Sequence, residues 1–185
     1  MPAAHGSEWT VELVHALPDD GNRYEIIDGE LLVSPSPTWL HQSAVLDLAM
    51  LLRDYARRAG LKVLVAPAAV TWSPQTEVQP DVLAAPLIEG RSPSRFEDVG
   101  VLALAVEVLS PSTMRVDRFV KRREYQKRGV PEYWIVDPAG RSVERWRPGR
   151  DEPDILFDSL AWQPNPEVEP LTIDLVGYFR AVHDE

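Results

Sequence analysis

Apolar and polar positions along the chain follow a helical period in some segments and short apolar runs in others. Apolar residues recur at helical spacing from about Trp39 to Ala59, and two arginines and a glycine mark the carboxyl end of that segment. A shorter helix is predicted from about Thr10 to Ala16. Another is predicted from about Ser112 to Arg128, where Gly129 follows. The pattern therefore predicts three helices of different length.

Short apolar runs between proline and glycine positions predict strands. The segment Arg23 to Val33 is predicted to form a hairpin, because Asp28-Gly29 lies between two apolar runs. Leu102–Leu109 is the most apolar run and is expected to be the most buried strand. The other predicted strands are Lys62–Ala66, Ala69–Trp72, Pro80–Ala84, Tyr133–Val136, Ser142–Arg147, Asp154–Asp158 and Leu171–Leu175. A polar loop is predicted over Pro86–Asp98, and a tail after residue 175.

The order of these elements predicts an α/β fold, in which a central mixed β-sheet is flanked by helices and preceded by an amino-terminal β-hairpin. The 185 residues fit one domain, 1–185, with a core from about residue 8 to 178. The sequence lacks both the regular strand–helix alternation of nucleotide-binding folds and a glycine-rich phosphate loop.

The amino-acid composition excludes several kinds of functional site. The absence of cysteine excludes disulfides, thiolate metal sites and a cysteine nucleophile. The sequence shows no signal peptide and no apolar run long enough to cross a bilayer, so we expect a cytoplasmic protein without a membrane partner.

The net charge of −10 argues against coating of nucleic acid through overall charge. Residues 112–150, however, contain 11 Lys and Arg against 5 Asp and Glu. This net of +6 leaves −16 elsewhere and is the polarity that a phosphate backbone needs, although a solvated helix face explains it equally well.

Two carboxylates lie in apolar surroundings. Glu107 sits inside Leu102–Leu109, where burial is costly unless the charge is paired or bound to a metal. Asp81 opens the preceding short strand, although an aspartate after a proline is also common in turns. The 26 residues between them suffice for a strand, a loop and a return, so adjacent strands could hold both. Such a pair suits Mg²⁺ or Mn²⁺.

A lysine on the following helix could complete this pair. Asp117, Lys121 and Tyr125 recur at intervals of four and share one helix face. If the helix packs on the sheet, Lys121 points toward the end of the Glu107 strand and could orient a water or neutralise phosphate charge. Taken alone, Asp117 and Lys121 are better explained as a surface ion pair.

Together these residues resemble the PD-(D/E)XK nuclease superfamily, and more closely the Uma2 family of bacterial endonucleases. The matching segments cover nearly the whole chain, and their combination is specific. They are Arg23–Leu31, His41, Gln79–Val82, Val106–Thr113, Asp117, Lys121, Tyr125 and Gly129–Pro138.

The resemblance implies a restriction-endonuclease-like fold and a Mg²⁺- or Mn²⁺-dependent endonuclease acting on DNA. Asp81 and Glu107 would bind the metal, and Lys121 would assist the attacking water. The general superfamily motif places its lysine two residues after the acid, where this chain has Leu109; the Uma2 pattern uses the helix lysine instead. Glu25 and His41 are secondary candidates for the metal site, with an exposed hairpin position and a structural histidine as their simpler interpretations.

Other interpretations stay open at the level of sequence. A nuclease-fold protein that binds nucleic acid or acts as a scaffold, with little or no catalysis, carries the same residues. A carboxylate-pair glycosidase is disfavoured because it leaves Lys121 and the basic stretch without a role. The substrate could be DNA or another nucleic acid, and a homodimer would suit cleavage of two strands.

Overall fold

The computed structural model describes residues 8–93, 98 and 100–185. Its α-helices are α1 (Val11–His15), α2 (Trp39–Arg58), α3 (Arg122–Lys127) and α4 (Leu175–Val182), and a π-helical segment, Val116–Lys121, leads directly into α3. The strands are β1 (Arg23–Ile27), β2 (Glu30–Ser34), β3 (Leu61–Val65), β4 (Val70–Ser73), β5 (Thr76–Val78), β6 (Val82–Pro86), β7 (Leu104–Val108), β8 (Tyr133–Asp137), β9 (Ser142–Trp146), β10 (Asp154–Leu156), β11 (Ser159–Trp162) and β12 (Leu171–Asp174).

A six-stranded sheet in the order β10-β9-β8-β7-β6-β3 forms the centre of the structure. Its β7 and β8 are parallel and its other neighbours antiparallel, which confirms the predicted mixed sheet. A four-stranded antiparallel sheet, β2-β1-β5-β4, and the β11-β12 pair accompany it. No helix within the described residues is both long and apolar enough to span a lipid bilayer.

Local sequence accounts for the ends of the first elements. The predicted hairpin forms β1 and β2, and its turn residues Asp28 and Gly29 have φ values of 48° and 83°, the left-handed pair that a tight hairpin requires. The Thr38 hydroxyl accepts a hydrogen bond from the His41 amide and caps α2. This cap places His41 in the first turn of the long helix.

The central sheet is buried on both faces, and the alternation of its side chains decides which face carries the polar residues. On β7, Leu104, Val106 and Val108 join the core beneath α2 and α4. Ala105 joins the opposite core, beneath α3 and the four-stranded sheet. Because successive side chains alternate, Glu107 lies on the face of Ala105. Leu83 on β6 also belongs to that face, so Asp81 is directed the same way.

The structure differs from the sequence prediction mainly in weak elements. The predicted tail after residue 175 is wrong, because α4 forms there and the Tyr178 hydroxyl donates to the Ala44 carbonyl of α2 at 2.8 Å. Strands β5 and β11 were not predicted, since three or four residues carry little periodicity and both depend on pairing with a partner strand. The predicted Pro86–Asp98 loop lies partly outside the described residues, and its described part includes the end of β6.

Candidate active site

Asp81 and Glu107 meet where two neighbouring strands of the central sheet pair. Val82 of β6 pairs with Val106 of β7, and the same antiparallel register carried one residue further sets Asp81 opposite Glu107. Both side chains are buried. The sequence-based expectation that adjacent strands bring these two carboxylates together agrees with this pairing.

Lys121 reaches the Glu107 side of this pair from the π-helical segment. Its Nζ lies 3.0 Å from Glu107 Oε1, 2.8 Å from Glu25 Oε2 and 3.9 Å from Asp117 Oδ1. The side chain is only 2% exposed, so the alternative of a surface ion pair with Asp117 is wrong. A π-helical turn is an uncommon geometry that is frequent at functional sites. Here it presents both Asp117 and Lys121 to the sheet.

Glu25 and Tyr125 complete the surroundings of Lys121 and Glu107. Glu25 on β1 is buried, so the alternative of an exposed hairpin position is wrong. Its Oε1 accepts a hydrogen bond from the Gln79 amide at 2.7 Å. The Tyr125 hydroxyl, also buried, donates to Glu107 Oε1 at 3.0 Å. The Glu107 carboxylate is therefore held from two directions.

Asp81 has a separate set of partners. Arg23 Nη1 donates to Asp81 Oδ1 at 2.6 Å, and the Val108 amide donates to Oδ2 at 2.8 Å. His41 Nε2 lies 3.1 Å from the same Oδ2. Burial works to raise the pKa of Asp81, but the His41 hydrogen bond and the Arg23 charge outweigh it and hold the pKa well below its usual range. Because Asp81 is ionised, His41 Nε2 carries the hydrogen of this contact.

The site has more buried negative than positive charge. Four buried carboxylates, those of Glu25, Asp81, Glu107 and Asp117, surround the two cations Arg23 and Lys121, which leaves a formal excess of two negative charges. Burial raises the pKa of Glu107 well above its usual value, although the Lys121 charge opposes this. Burial works to lower the pKa of Lys121, but the Glu107, Glu25 and Asp117 charges raise it, so the ammonium stays charged. Burial therefore favours the protonated forms of Glu107 and Asp117, whereas Lys121 keeps its charge.

Asp117 is the least compensated of the four carboxylates. Neither of its oxygens has a hydrogen bond within the described part of the chain, and burial raises its pKa to about 6. A folded-state pKa above the unfolded value of 3.8 costs stability as the pH rises from about 4 to about 6, and the cost persists above that range.

Asp117→Asn should therefore stabilise the cation-free protein at pH 7 by about 2–3 kcal/mol, as expected for removal of a shift of roughly two pKa units. The gain should shrink toward zero at pH 4, where the carboxyl is neutral in both states. Urea denaturation of both proteins at pH 4, 5.5 and 7 measures this difference. A loss of stability at pH 7 would contradict the inference that the buried Asp117 charge destabilises the fold.

A cleft of about 610 Å³ opens beside Asp81. Arg23 and His41 also line it, together with Ser110, Ser112 and Thr113 from the loop after β7. Glu25, Glu107 and Lys121 lie behind this wall. A substrate in the cleft would therefore contact Asp81, Arg23 and His41. Glu25, Glu107 and Lys121 would lie behind these residues, without direct contact with it.

None of the eleven Lys and Arg side chains of residues 112–150 lines this cleft. Seven of these eleven cations make ion pairs with carboxylates: Arg118, Lys121, Lys127, Arg128, Arg141, Arg145 and Arg147. Arg122 stacks over the ring of Trp146, with 4.5 Å from guanidinium carbon to ring centroid. Most of these cations therefore already have a carboxylate or aromatic partner, and that the stretch offers a basic surface to phosphate stays a prediction. The cleft draws its positive charge from Arg23 instead.

The residues fit a hard divalent cation in donor type and in charge. Carboxylate oxygens are the ligands that Mg²⁺ and Mn²⁺ prefer, and the excess of two negative charges equals what such an ion brings. Within residues 8–93, 98 and 100–185, no three His, Asp or Glu side chains are arranged to hold an ion together. Arg23 and Lys121 instead occupy the positions next to Asp81 and Glu107.

Sequence reasoning missed several residues of the site. Arg23 had no assigned role, although an Arg-x-Glu alternation on one strand places Arg23 and Glu25 on the same face. His15 and Glu77 also line the cleft and had no sequence signal, because Glu77 lies on the unpredicted strand β5. Asp81, Glu107, Lys121, Glu25 and His41, the five candidates from sequence, all lie in this one region.

Comparison with known proteins gives two findings. The model of the Uma2 family, described as "Putative restriction endonuclease", matches residues 11–175. The fold is similar to the crystal structure of a protein from Anabaena variabilis, described as a "putative nuclease" of the DUF820 group, with a TM-score of 0.73 and 18% identity over 94% of this chain and 99% of the other. A search of curated proteins found no match.

Proposed function

We propose, from the premise that the chain belongs to the Uma2 family, that it is a divalent-cation-dependent endonuclease that hydrolyses DNA phosphodiester bonds. The observation that carries this proposal is the excess of buried carboxylate around Asp81 and Glu107 at the end of an open cleft. Mg²⁺ or Mn²⁺ held by Asp81 and Glu107 would polarise the phosphate and make water more acidic.

The protein's own groups prepare both carboxylates for this task. The Val108 amide and His41 fix the orientation of Asp81, and the Tyr125 hydroxyl and Lys121 fix that of Glu107. Lys121 is too deeply buried to touch a substrate in this arrangement. The Lys121 ammonium stabilises the ionised form of the Glu107 carboxylate. Through Glu107 it would assist the attacking water.

Arg23 is suited to a second task. Its guanidinium lines the cleft and pairs with Asp81 Oδ1, and the charges of Glu107, Asp81 and Glu25 raise its pKa, although burial opposes this. A guanidinium matches the geometry of a phosphate and stays charged at all relevant pH values. With a cation held at Asp81, the Arg23 guanidinium would be released from Asp81 Oδ1 and could contact the substrate phosphate, while Glu25 would stay beside it.

The test is cleavage of plasmid and end-labelled linear DNA by the purified chain with Mg²⁺, Mn²⁺, Ca²⁺ or EDTA. We expect nicking or linearisation with Mg²⁺ or Mn²⁺ and none with EDTA. Parallel reactions on RNA of the same sequence decide the class of nucleic acid. Cleavage that persists in EDTA after dialysis would refute the assignment of the cation, and no cleavage of any nucleic acid with bound cation would refute the nuclease.

One observation favours an alternative. Arg23 and Lys121 already neutralise part of the carboxylate cluster, so the fold is supported without a metal. A nuclease-fold protein that binds nucleic acid without cleaving it would need no more than this. Calorimetric titration with Mn²⁺ separates the two functions: a catalytic site takes up the ion, and the loss of heat in Asp81→Asn locates it.

A further inference from the structure

The floor of the cleft is formed by the segment that runs from β5 to the start of β6 and bends at Asp81. Three alternate residues of this segment, Glu77, Gln79 and Asp81, line the cleft. The residues between them, Val78 and Pro80, are buried. This segment therefore presents three polar groups in a row to any molecule in the cleft.

Glu77 holds a histidine at the far end of this row. Its Oε1 lies 2.8 Å from His15 Nε2, and its Oε2 accepts a hydrogen bond from the Thr71 hydroxyl at 2.6 Å. The Glu77 side chain is 3% exposed, whereas that of His15 is 61% exposed and lines the cleft. A buried, doubly held carboxylate thus fixes one ring nitrogen of an exposed imidazole. Nδ1 makes no hydrogen bond with the described residues.

The same arrangement occurs twice on the floor. Asp81 is paired with His41, and Glu77 with His15, four residues earlier. At about 3.3 Å per residue, four residues separate the two carboxylates by at most about 13 Å along the chain. Duplex DNA advances about 3.4 Å per base pair, so this limit corresponds to about four base pairs along the axis.

We propose that His15, positioned by Glu77, is a second nucleic-acid contact, which binds a backbone phosphate several nucleotides from the phosphate at Asp81. The inference rests on the proposed function. In its imidazolium form His15 donates from Nδ1 to a phosphate oxygen, while Glu77 balances its charge and fixes the ring. The contact makes the cleft select an extended polynucleotide over a short phosphodiester.

The test compares His15→Gln with the unchanged chain on two substrates. Glutamine keeps a donor for Glu77 but cannot carry the charge. The substrates are a 16-nucleotide DNA, which spans both histidine pairs, and thymidine 5′-(p-nitrophenyl phosphate), which reaches only one. We expect kcat/KM on the 16-mer to fall about fivefold to tenfold, mostly through KM, and at least four times more than on the short ester. His15→Arg should recover most of the loss.

Control measurements separate this role from a structural one. His183→Gln, whose ring contacts the Pro138 carbonyl away from the cleft, should change neither substrate. An equal loss on both substrates, or no loss on the 16-mer, would overturn the proposal and leave His15 as a partner of Glu77 only.

A binding measurement keeps the inference distinct from the nuclease. Fluorescence anisotropy of a labelled 16-mer with Ca²⁺ should show Kd about fivefold higher in His15→Gln, and a salt dependence weaker by about one phosphate contact. If the unchanged chain cleaves nothing but this shift is seen, the proposed function fails and the phosphate contact stands. An unchanged Kd, or no binding by the unchanged chain, overturns the contact.

Discussion

Asp81→Asn and Glu107→Gln should each reduce cation-dependent DNA cleavage by at least about a thousandfold, the scale expected when preorganised electrostatic groups of a catalytic site are lost. Each substitution keeps the size of the side chain but removes one negative charge from the donor pair. The Asp81 change also weakens the contacts with Arg23 and His41, and the Glu107 change weakens those with Lys121 and Tyr125, although Lys121 keeps its ion pair with Glu25. Initial rates of plasmid nicking at saturating Mg²⁺ or Mn²⁺ measure the loss.

A matched control comes from another buried carboxylate with basic partners. Glu124 on α3 pairs with Arg128 and Lys127 and does not line the cleft. Glu124→Gln should therefore retain cleavage within a few fold, even if its thermal stability falls. If both site variants fold, as judged by circular dichroism and melting, and still cleave like the unchanged chain, the assignment of Asp81 and Glu107 is wrong.

Lys121→Met should destabilise the protein by about 3–5 kcal/mol at pH 8, because it leaves buried carboxylates without their cation. The carboxylates of Glu25, Glu107 and Asp117 then lose their shared cation. The folded-state pKa values of Glu107 and Asp117, which burial already raises, rise further above the unfolded ones, so stability falls as pH rises. The cost of the substitution should accordingly be smaller at pH 5 than at pH 8, as measured by urea denaturation.

Two further variants isolate the ion pairs. Adding Glu107→Gln to Lys121→Met should restore about 1–3 kcal/mol, the coupling typical of residues in one buried network. Lys127 lies at the end of α3, is half-exposed and pairs with Asp28 and Glu124. Lys127→Met should therefore lower the free energy of unfolding by less than about 1 kcal/mol. A cost at Lys121 that is equally small and independent of pH would show that this lysine does not compensate the cluster.

Arg23, His15 and Asp117 show where sequence reasoning stopped. Each is an ordinary polar residue in its own segment, and no local pattern states whether it will be buried. Arg23 becomes part of the site because β1 lies in the sheet that covers the β6–β7 face, and His15 because α1 packs against β1, the neighbour of β5. These are contacts between residues 58 and 62 positions apart.

The charge of residues 112–150 shows the opposite limit. The sequence gives the number of charges in this stretch, but carboxylates outside the stretch determine how many of its cations are unpaired. Arg145 and Arg147 both pair with Asp154, and Arg141 with Glu185. A count of charges along a sequence does not include such pairing, so it overestimates the basic surface that a nucleic acid would meet.

Local signals were sufficient for the principal elements: the Asp28-Gly29 hairpin, the capped helix α2, the apolar strand that carries Glu107, and the order that makes the sheet mixed. These features depend on backbone preference, side-chain period and turn chemistry, which act over a few residues. The tertiary structure alone decided that Glu25 is buried, that Lys121 meets Glu25 and Glu107, and that Arg23 holds Asp81 at the cleft. Burial and pairing of charge are set by which surfaces pack together, and no single segment contains that information.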